Sequence, residues 1–219
     1  MDKESVLNLL FPPKCMFCGE ITQKGKPCPA CVEQAQKLLI PKNARSIQHN
    51  CFKKLDECIS FYYYTDIVRE SLLKAKFVNC SSFVRYFLDF IPENFAEIYK
   101  NNNIDMFISM PVHKSKHYDR EFVLVNEMAS HIAKIYNLQY NKNLVTKIRK
   151  TENQHDLPLS KRKDNLKDAF RVNNDIKGKN ILVLDDIIST GYSLEEVAKS
   201  LKKAGAATVI AVTFAYNKL

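Results

Sequence analysis

This sequence has few glycines and prolines and lacks a long apolar run. Only 5 glycines and 8 prolines occur among 219 residues, which leaves little room for a disordered linker. No apolar run is long enough to cross a membrane, and no signal peptide is recognisable. We therefore expect a cytoplasmic protein without membrane insertion, in which the cysteines stay reduced.

Acidic residues are outnumbered by basic ones. The chain has 33 Lys and Arg against 24 Asp and Glu, which gives a formal net charge of +9 at pH 7. This excess indicates an anionic partner, but charge alone does not choose between a nucleic acid and a polyphosphate. The length allows one substantial core with a small appendage, and hardly two full domains.

The most informative segment is an apolar run that ends in two acids. Residues 181–184 lack polar alternation, as expected of a strand that is covered on both faces in a parallel sheet. Asp185 and Asp186 would emerge at its carboxyl end, where open α/β sheets bind ligands and paired carboxylates can accept hydrogen bonds from vicinal sugar hydroxyls. The next residues can turn backbone N–H groups and hydroxyls around one phosphate: Ser189, Thr190, Gly191, Tyr192 and Ser193.

A helix and a second strand follow this loop. Ser193 and Glu196 fit a capping box at the start of a helix over 194–204, which Gly205 would end. The N-terminus of such a helix favours an anion. With a strand over 208–214, the segment predicts a right-handed βαβ crossover. A buried strand can end in two acids without any ligand, but the whole order of elements favours a sugar-phosphate site.

Two Cys-x-x-Cys pairs lie near the start of the chain. Their four thiolates can surround one Zn²⁺ tetrahedrally and leave no open position for catalysis: Cys15, Cys18, Cys28 and Cys31. We expect structural zinc, and the alternative of two disulfides is disfavoured in a reducing compartment. The other cysteines have apolar neighbours and are interpreted as packed small hydrophobic residues: Cys51, Cys58 and Cys80.

Basic and turn segments supply further candidates for anion binding. Residues 142–179 contain eleven Lys and Arg against five Asp and Glu, and 147–165 is interpreted as a long flexible loop, either a lid or a solvated basic surface. Upstream, a strand over 104–110 precedes the turn 111–114 and an amphipathic helix over 122–136. That turn can aim backbone N–H groups and Lys114 at a pyrophosphate, although His113 and Lys114 can also simply face solvent.

The strand, acids, loop and helix closely resemble the phosphoribosyl pyrophosphate (PRPP) motif of type I phosphoribosyltransferases. Nearly the whole chain is similar to one branch of that group, the ComF family, which is associated with DNA uptake in competence. Beside the cysteines, the resemblance rests on Lys76-Phe77, Pro111-Val112, Arg149, Thr151-x-x-Gln154 and Arg162-x-x-Asn165. The sequence departs from the usual residues at Asn79, Glu121, Val123, Leu124 and Ser189.

The resemblance implies a role for each candidate residue. Asp185 and Asp186 would hold the ribose 2′ and 3′ hydroxyls as the catalytic pair, residues 189–193 would bind the 5′-phosphate, and Mg²⁺ would accompany PRPP. The pyrophosphate would lie against Val112, His113, Lys114, Arg149 and Arg162. Catalysis would be mainly electrostatic and positional, because the acids would fix the ribose and the basic residues would neutralise the leaving group. No general base is identifiable, and Asp185 would either take a direct part in proton transfer or only anchor the ribose.

We expect an α/β fold, with a type I phosphoribosyltransferase-like parallel sheet flanked by helices in residues 46–219 and a small zinc-binding module in residues 1–45. Too few residues follow the last predicted strand to build a hood over the acceptor. The hood would therefore come from the zinc module and residues 61–77. The tyrosines at 62, 63 and 64 would either stack on a nucleobase or on single-stranded DNA, or belong to the core.

Two classes of function follow from these expectations. We favour a PRPP-binding protein of the phosphoribosyltransferase family in DNA uptake or processing, with single-stranded DNA and the DNA-uptake or helicase machinery as candidate partners. The alternatives are a non-catalytic protein that senses PRPP or binds single-stranded DNA, and an enzyme that transfers phosphoribose to a nucleobase or an amine. Release of pyrophosphate from PRPP would distinguish turnover from binding.

Overall fold

A parallel sheet forms the centre of this protein. The computed structural model describes residues 12–15, 17–22, 26–77, 91, 95–112, 123–149, 151 and 165–218. The strands in this part of the chain are β1 (Glu57–Tyr63), β2 (Met106–Ser109), β3 (Val145–Lys147), β4 (Phe170–Val172), β5 (Asn180–Ile188) and β6 (Thr208–Tyr216). The α-helices are α1 (Pro29–Lys37), α2 (Asp66–Phe77), α3 (Phe95–Asn101), α4 (Leu124–Tyr136) and α5 (Tyr192–Lys203).

The main sheet has the strand order β1-β6-β5-β2, and all three neighbouring pairs are parallel. The apolar residues 181–184 of β5 are at most 2% exposed, because β5 is paired on both edges and covered on both faces. The predicted α/β fold with a parallel sheet flanked by helices is therefore confirmed. No helix in the described ranges is long and apolar enough to span a membrane.

The strand β5 is longer than the sequence predicted. It stays in register with β6 as far as the pair Ile188 and Tyr216. Asp185 and Asp186 thus lie in the last part of the strand, near its carboxyl end, and the strand continues to Ile188. The strand continues because the partner β6 also extends to Tyr216 and supplies backbone hydrogen-bond partners that far.

The helix α5 begins earlier than predicted and has a different cap. Gly191 is its N-cap residue, with a left-handed φ of 71°, and no side chain caps the helix. The predicted capping box of Ser193 and Glu196 is wrong, because both residues already lie within the helix. The predicted end is confirmed: Gly205 has φ +96°, and the N–H of Ala206 donates to the carbonyl of Leu201 at 3.1 Å, which is a Schellman arrangement.

Residues 61–77 divide between the main sheet and a helix, and their expected part in a hood stays a prediction. Residues 61–63 belong to β1, which pairs with β6 in the main sheet, and most of the remainder forms α2. Tyr62 is only 4% exposed and stacks on Phe214 with a ring-centroid distance of 4.9 Å. The alternative that this tyrosine is a core residue is confirmed, since a side chain packed this way has no face left for a base.

Shorter elements flank the predicted anion sites. The strand β2 and the helix α4 lie within the predicted ranges 104–110 and 122–136. The strands β3 and β4 form a separate antiparallel pair, in which Lys147 is in register with Phe170. Most of the predicted flexible loop 147–165 lies outside the described residues. The proposed division of the chain at residues 45 and 46 stays a prediction.

A segment formed by residues 48–55, here called the covering segment, packs along the start of α5. The thiol of Cys51 donates to the carbonyl oxygen of Thr190 at 3.1 Å. The backbone N–H groups of Lys54 and Leu55 donate to the Glu195 carboxylate at 3.0 to 3.2 Å. These contacts fix the covering segment against the loop between β5 and α5.

Gly191→Ala tests this packing. The added Cβ would lie 2.6 Å from Cε1 of Phe52 and 3.1 Å from the Cys51 sulfur, and the residue has positive φ. We expect the free energy of unfolding to fall by about 3 kcal/mol, which combines left-handed strain with overpacking. Urea denaturation measures the free energy of unfolding. The matched control is Gly178→Ala, with φ +72° and nothing within 4 Å, for which about 1 kcal/mol is expected. Equal losses would contradict the packing account.

Candidate functional site

Two adjacent carboxylates mark the carboxyl-terminal part of β5. Oδ2 of Asp186 lies 2.6 Å from Nζ of Lys76, which is the penultimate residue of α2. Oδ1 of Asp185 accepts a hydrogen bond of 2.9 Å from the backbone N–H of Asp186. Both residues are partly exposed near this edge of the sheet.

The charges of these three residues are strongly coupled. Burial and the neighbouring Asp186 carboxylate raise the pKa of Asp185 well above its ordinary value. Burial alone would lower the pKa of Lys76, but the carboxylates of Asp186 and Asp185 outweigh that effect and raise it. Two acids share one cation here, which favours a ligand that brings hydroxyl hydrogens or a further positive charge.

Lys76 is a site residue that the sequence did not assign. It entered the sequence analysis only as part of the Lys76-Phe77 resemblance. Its contact with Asp186 joins a helix and a strand that are far apart along the chain, and no spacing rule predicts such a contact. The one available signal was its place in the last turn of an amphipathic helix with positive residues at its end.

The loop between β5 and α5 has the geometry expected of an anion-binding turn. Ser189 and Thr190 form a bend, and the left-handed Gly191 then turns the chain into α5. Tyr192 and Ser193 occupy the first helical positions, whose backbone N–H groups have no acceptor within the helix. These N–H groups, with the positive end of the helix dipole, can hold one phosphate.

The predicted pyrophosphate residues are only partly described. Val112 follows β2 and borders a cavity of about 250 Å³ that Ser109 and Asn126 also line. Arg149 follows β3, and its guanidinium donates to the carbonyl oxygens of Asn165 and Lys167 at 2.9 and 2.8 Å. His113, Lys114 and Arg162 lie outside the described residues, so the pyrophosphate site stays a prediction.

The four cysteines of the N-terminal module converge on one point. The sulfur atoms of Cys15, Cys18, Cys28 and Cys31 all lie within 4.8 Å of one another, and those of Cys18 and Cys28 are 3.8 Å apart. Ligands at about 2.3 Å from a tetrahedral Zn²⁺ have sulfur separations of about 3.8 Å. The donor set therefore fits a closed, structural zinc site.

Local hydrogen bonds prepare one of these thiols for metal binding. Burial raises the pKa of Cys15, but the backbone N–H groups of Cys18, Cys28 and Phe17 outweigh it and lower the pKa to about 7. The thiolate is the form that binds a metal. Cys51 and Cys58 lie outside the cluster, and Cys58 is fully buried in β1 as a packed residue. Cys80 lies outside the described residues.

Comparison with known families matches both parts of the molecule. The model of the phosphoribosyl transferase domain matches residues 121–218, and that of the double zinc ribbon domain matches residues 6–44. The chain therefore combines a phosphoribosyltransferase-like domain with an N-terminal zinc ribbon. The order of the two modules is the one that the sequence predicted.

Three relatives indicate the family. A DNA utilization protein YhgH of Shigella flexneri is 34% identical over 105 residues, which are 48% of this chain and 46% of that protein. Competence protein F of Haemophilus influenzae is 25% identical over 104 residues, 46% of this chain and 45% of that protein. Competence protein ComFC of Bacillus subtilis is 24% identical over 220 residues, 93% of this chain and 85% of that protein.

The predicted resemblance to the ComF family is confirmed by the two domain models and by these relatives. The match to ComFC runs across both modules, whereas the chain spans about half the length of the YhgH relatives that it matches.

Asp185→Asn tests the electrostatic repulsion between the two acids. The pKa of Asp185 is higher in the folded chain than its unfolded value of about 3.9, so the folded state binds more protons. The contribution of this group to stability is therefore complete below that value and is lost as the pH rises through the folded pKa. We expect the amide to raise the free energy of unfolding, and more so at pH 8 than at pH 5.

Urea denaturation at both pH values measures the effect. Asp168→Asn, at an exposed position with positive φ that asparagine tolerates, is the control and should change little. A destabilised Asp185→Asn protein, or a gain that does not grow with pH, would contradict the coupling described above.

Cys15→Ser tests the metal site. We expect zinc in the purified protein to fall from about one equivalent to almost none, because the serine hydroxyl is a poor substitute for a thiolate ligand. Metal analysis by mass spectrometry gives the stoichiometry. Cys51→Ser, outside the cluster, should retain its zinc. An unchanged metal content in Cys15→Ser would rule out the four-cysteine site.

Proposed function

We propose that this protein binds PRPP at the carboxyl end of β5 and uses that site in the uptake or processing of DNA. One observation carries the proposal. Two carboxylates, a left-handed turn at Gly191 and the N-terminus of α5 occur in this order within residues 185–192, at the edge of a parallel sheet. A phosphorylated pentose has hydroxyls and a phosphate at matching places.

Each part of PRPP has a candidate partner. Asp185 and Asp186 would accept hydrogen bonds from the ribose hydroxyls, and the backbone of residues 189–193 would surround the 5′-phosphate. The turn after β2 and the basic residues Lys114, Arg149 and Arg162 would neutralise the pyrophosphate. Lys76 would hold the Asp186 carboxylate in place while the sugar binds.

Magnesium fits this site as a companion of the ligand. Mg²⁺ prefers oxygen ligands and keeps several waters, and it would neutralise charge on the pyrophosphate. If such an ion accompanies PRPP, Asp185 and Asp186 would be its candidate carboxylate ligands. They already share Lys76, so this chain's own contribution is to orient the sugar and to offset the charge of the acids.

The same geometry supports transfer of the phosphoribosyl group. As pyrophosphate leaves, C1′ of the ribose becomes positively charged, and the carboxylates of Asp185 and Asp186 favour that charge. The basic groups of the pyrophosphate site would stabilise the leaving group. The chain positions the reactants and supplies electrostatic stabilisation, and its acceptor would be a small nitrogenous compound.

The role in DNA handling has separate support. Relatives are named DNA utilization protein and competence protein. The formal charge of +9 adds a general attraction for a polyanion. Binding of single-stranded DNA would therefore depend steeply on salt, because each phosphate contact releases counterions.

Replacing both acids by amides tests the PRPP site. We expect Asp185→Asn with Asp186→Asn to abolish PRPP binding, because two amides present N–H donors where the hydroxyls need acceptors. Isothermal titration with PRPP and Mg²⁺ measures affinity, and a pyrophosphate-release assay over nucleobases and amines measures turnover. Asp175→Asn, at an exposed position before β5, is the control and should bind PRPP normally. Full affinity in the double variant would defeat the proposal.

A further inference from the structure

The order of the strands determines on which side of the phosphate loop a longer ligand would continue. The predicted pyrophosphate turn follows β2, the two acids lie on the neighbouring β5, and β6 lies on the far side of β5 from β2. A ligand that extends away from the pyrophosphate, past the 5′-phosphate, therefore meets the carboxyl end of β6. That strand ends at Tyr216, in register with Ile188 just before the phosphate loop.

A polar cavity lies at this place. It has a volume of about 220 Å³ and is lined by Gln48, His49, Asn50, Ser189 and Tyr216. Ser189 is also the first residue of the phosphate loop. The cavity thus adjoins the 5′-phosphate position on the side opposite to the pyrophosphate.

The lining of the cavity suits a nucleoside. It combines side-chain amides, hydroxyls and two aromatic rings, and no carboxylate from the described part of the chain lines it. Nδ1 of His49 is buried and has no hydrogen-bond partner among the described residues, so a ligand group that reached this atom would satisfy it. The volume is below the range of about 300–1,000 Å³ typical of drug-sized ligands and fits one nucleoside in an open site.

The wall of the cavity is fixed to the phosphate loop. Gln48, His49 and Asn50 belong to the covering segment, whose Cys51 thiol donates to the Thr190 carbonyl at 3.1 Å. The ring of Phe52 packs closely on Gly191, and the His49 and Phe52 rings are 5.6 Å apart. A group in the cavity and a phosphate in the loop would thus be held by one unit of structure.

We propose that this cavity binds a nucleoside esterified to the phosphate in the loop, so that the site also accepts the 3′-terminal nucleotide of a single DNA strand. The phosphate of that nucleotide occupies residues 189–193, and its terminal 3′-hydroxyl faces Asp185 and Asp186. The preceding nucleoside enters the cavity. This inference rests on the proposed sugar-phosphate site and adds a ligand for it, a single DNA strand with a free 3′-hydroxyl.

Two consequences follow from the shared phosphate position. PRPP and the DNA end compete, since both use the loop and the acids. A strand that ends in a 3′-phosphate is rejected, because the additional negative charge would face two carboxylates.

Fluorescence polarisation with the full-length, zinc-containing protein tests these consequences. The probe is an oligothymidylate of about ten nucleotides with a fluorophore at its 5′ end and a free 3′-hydroxyl, compared with the same strand carrying a 3′-phosphate. PRPP with Mg²⁺ serves as competitor, and isothermal titration gives PRPP affinity separately. The variants are His49→Ala and the control His131→Ala, a histidine on α4 away from the loop.

We expect PRPP to displace the 3′-hydroxyl strand and the 3′-phosphate to weaken binding at least about tenfold. His49→Ala should lower the affinity for the 3′-hydroxyl strand by about tenfold, as expected for the loss of one stacking or hydrogen-bonding partner. The affinity for PRPP should stay within about twofold of the wild-type value. His131→Ala should change neither.

Equal binding of the two strands, failure of PRPP to displace the strand from a protein that binds PRPP, or a His49→Ala protein that loses both ligands equally would overturn the inference. The titration with PRPP judges the proposed function by itself: a wild-type protein that binds the strand but not PRPP contradicts that function. In the same experiment, the effects of His49→Ala and of the 3′-phosphate still judge the cavity.

Discussion

The site depends on keeping two negative charges side by side in the last part of a buried strand. Asp185 and Asp186 lie on β5, which is paired with β6 on one edge and β2 on the other. Burial and mutual repulsion disfavour two ionised acids there, as the raised pKa of Asp185 shows. Lys76 opposes this repulsion at 2.6 Å from Asp186. The sheet therefore fixes the acids in position, and a helix from the N-terminal half supplies the cation.

The same helix connects the zinc module with the site. Lys74 of α2 donates a hydrogen bond to the carbonyl oxygen of Phe17, which lies between Cys15 and Cys18. Phe17 is 3% exposed and belongs to the core, and α1 packs on α2. Two residues further along α2, Lys76 reaches Asp186. The metal-binding module thus supports the helix turn that neutralises part of the acid pair, which gives a physical reason for the two modules to occur together.

The sequence alone predicted the elements whose signals are local. The unbroken apolar run 181–184 predicted β5, Gly205 predicted the end of α5, and the two Cys-x-x-Cys pairs predicted the cysteine cluster. The start of α5 was predicted wrongly because Ser193 and Glu196 satisfy the capping pattern equally well from inside the helix. The decisive feature, a left-handed Gly191 packed on Phe52, depends on a contact with a distant segment.

Contacts between distant segments account for the rest of what the sequence did not show. Neither the Lys76 and Asp186 pair nor the attachment of the covering segment to Glu195 has a periodic signature. The tyrosines near β1 were compatible with either a stacking surface or the core, and the pairing of β1 with β6 buries Tyr62. Aromatic composition could not separate the two outcomes, since both use the same residues.

A crystal structure of the protein with PRPP and Mg²⁺ would show whether the acid pair and the phosphate loop hold one sugar phosphate. We expect the 5′-phosphate within hydrogen-bond distance of backbone N–H groups of residues 189–193, with ribose hydroxyls on Asp185 and Asp186. A PRPP molecule bound elsewhere, or bound with its ribose turned away from these two carboxylates, would contradict it.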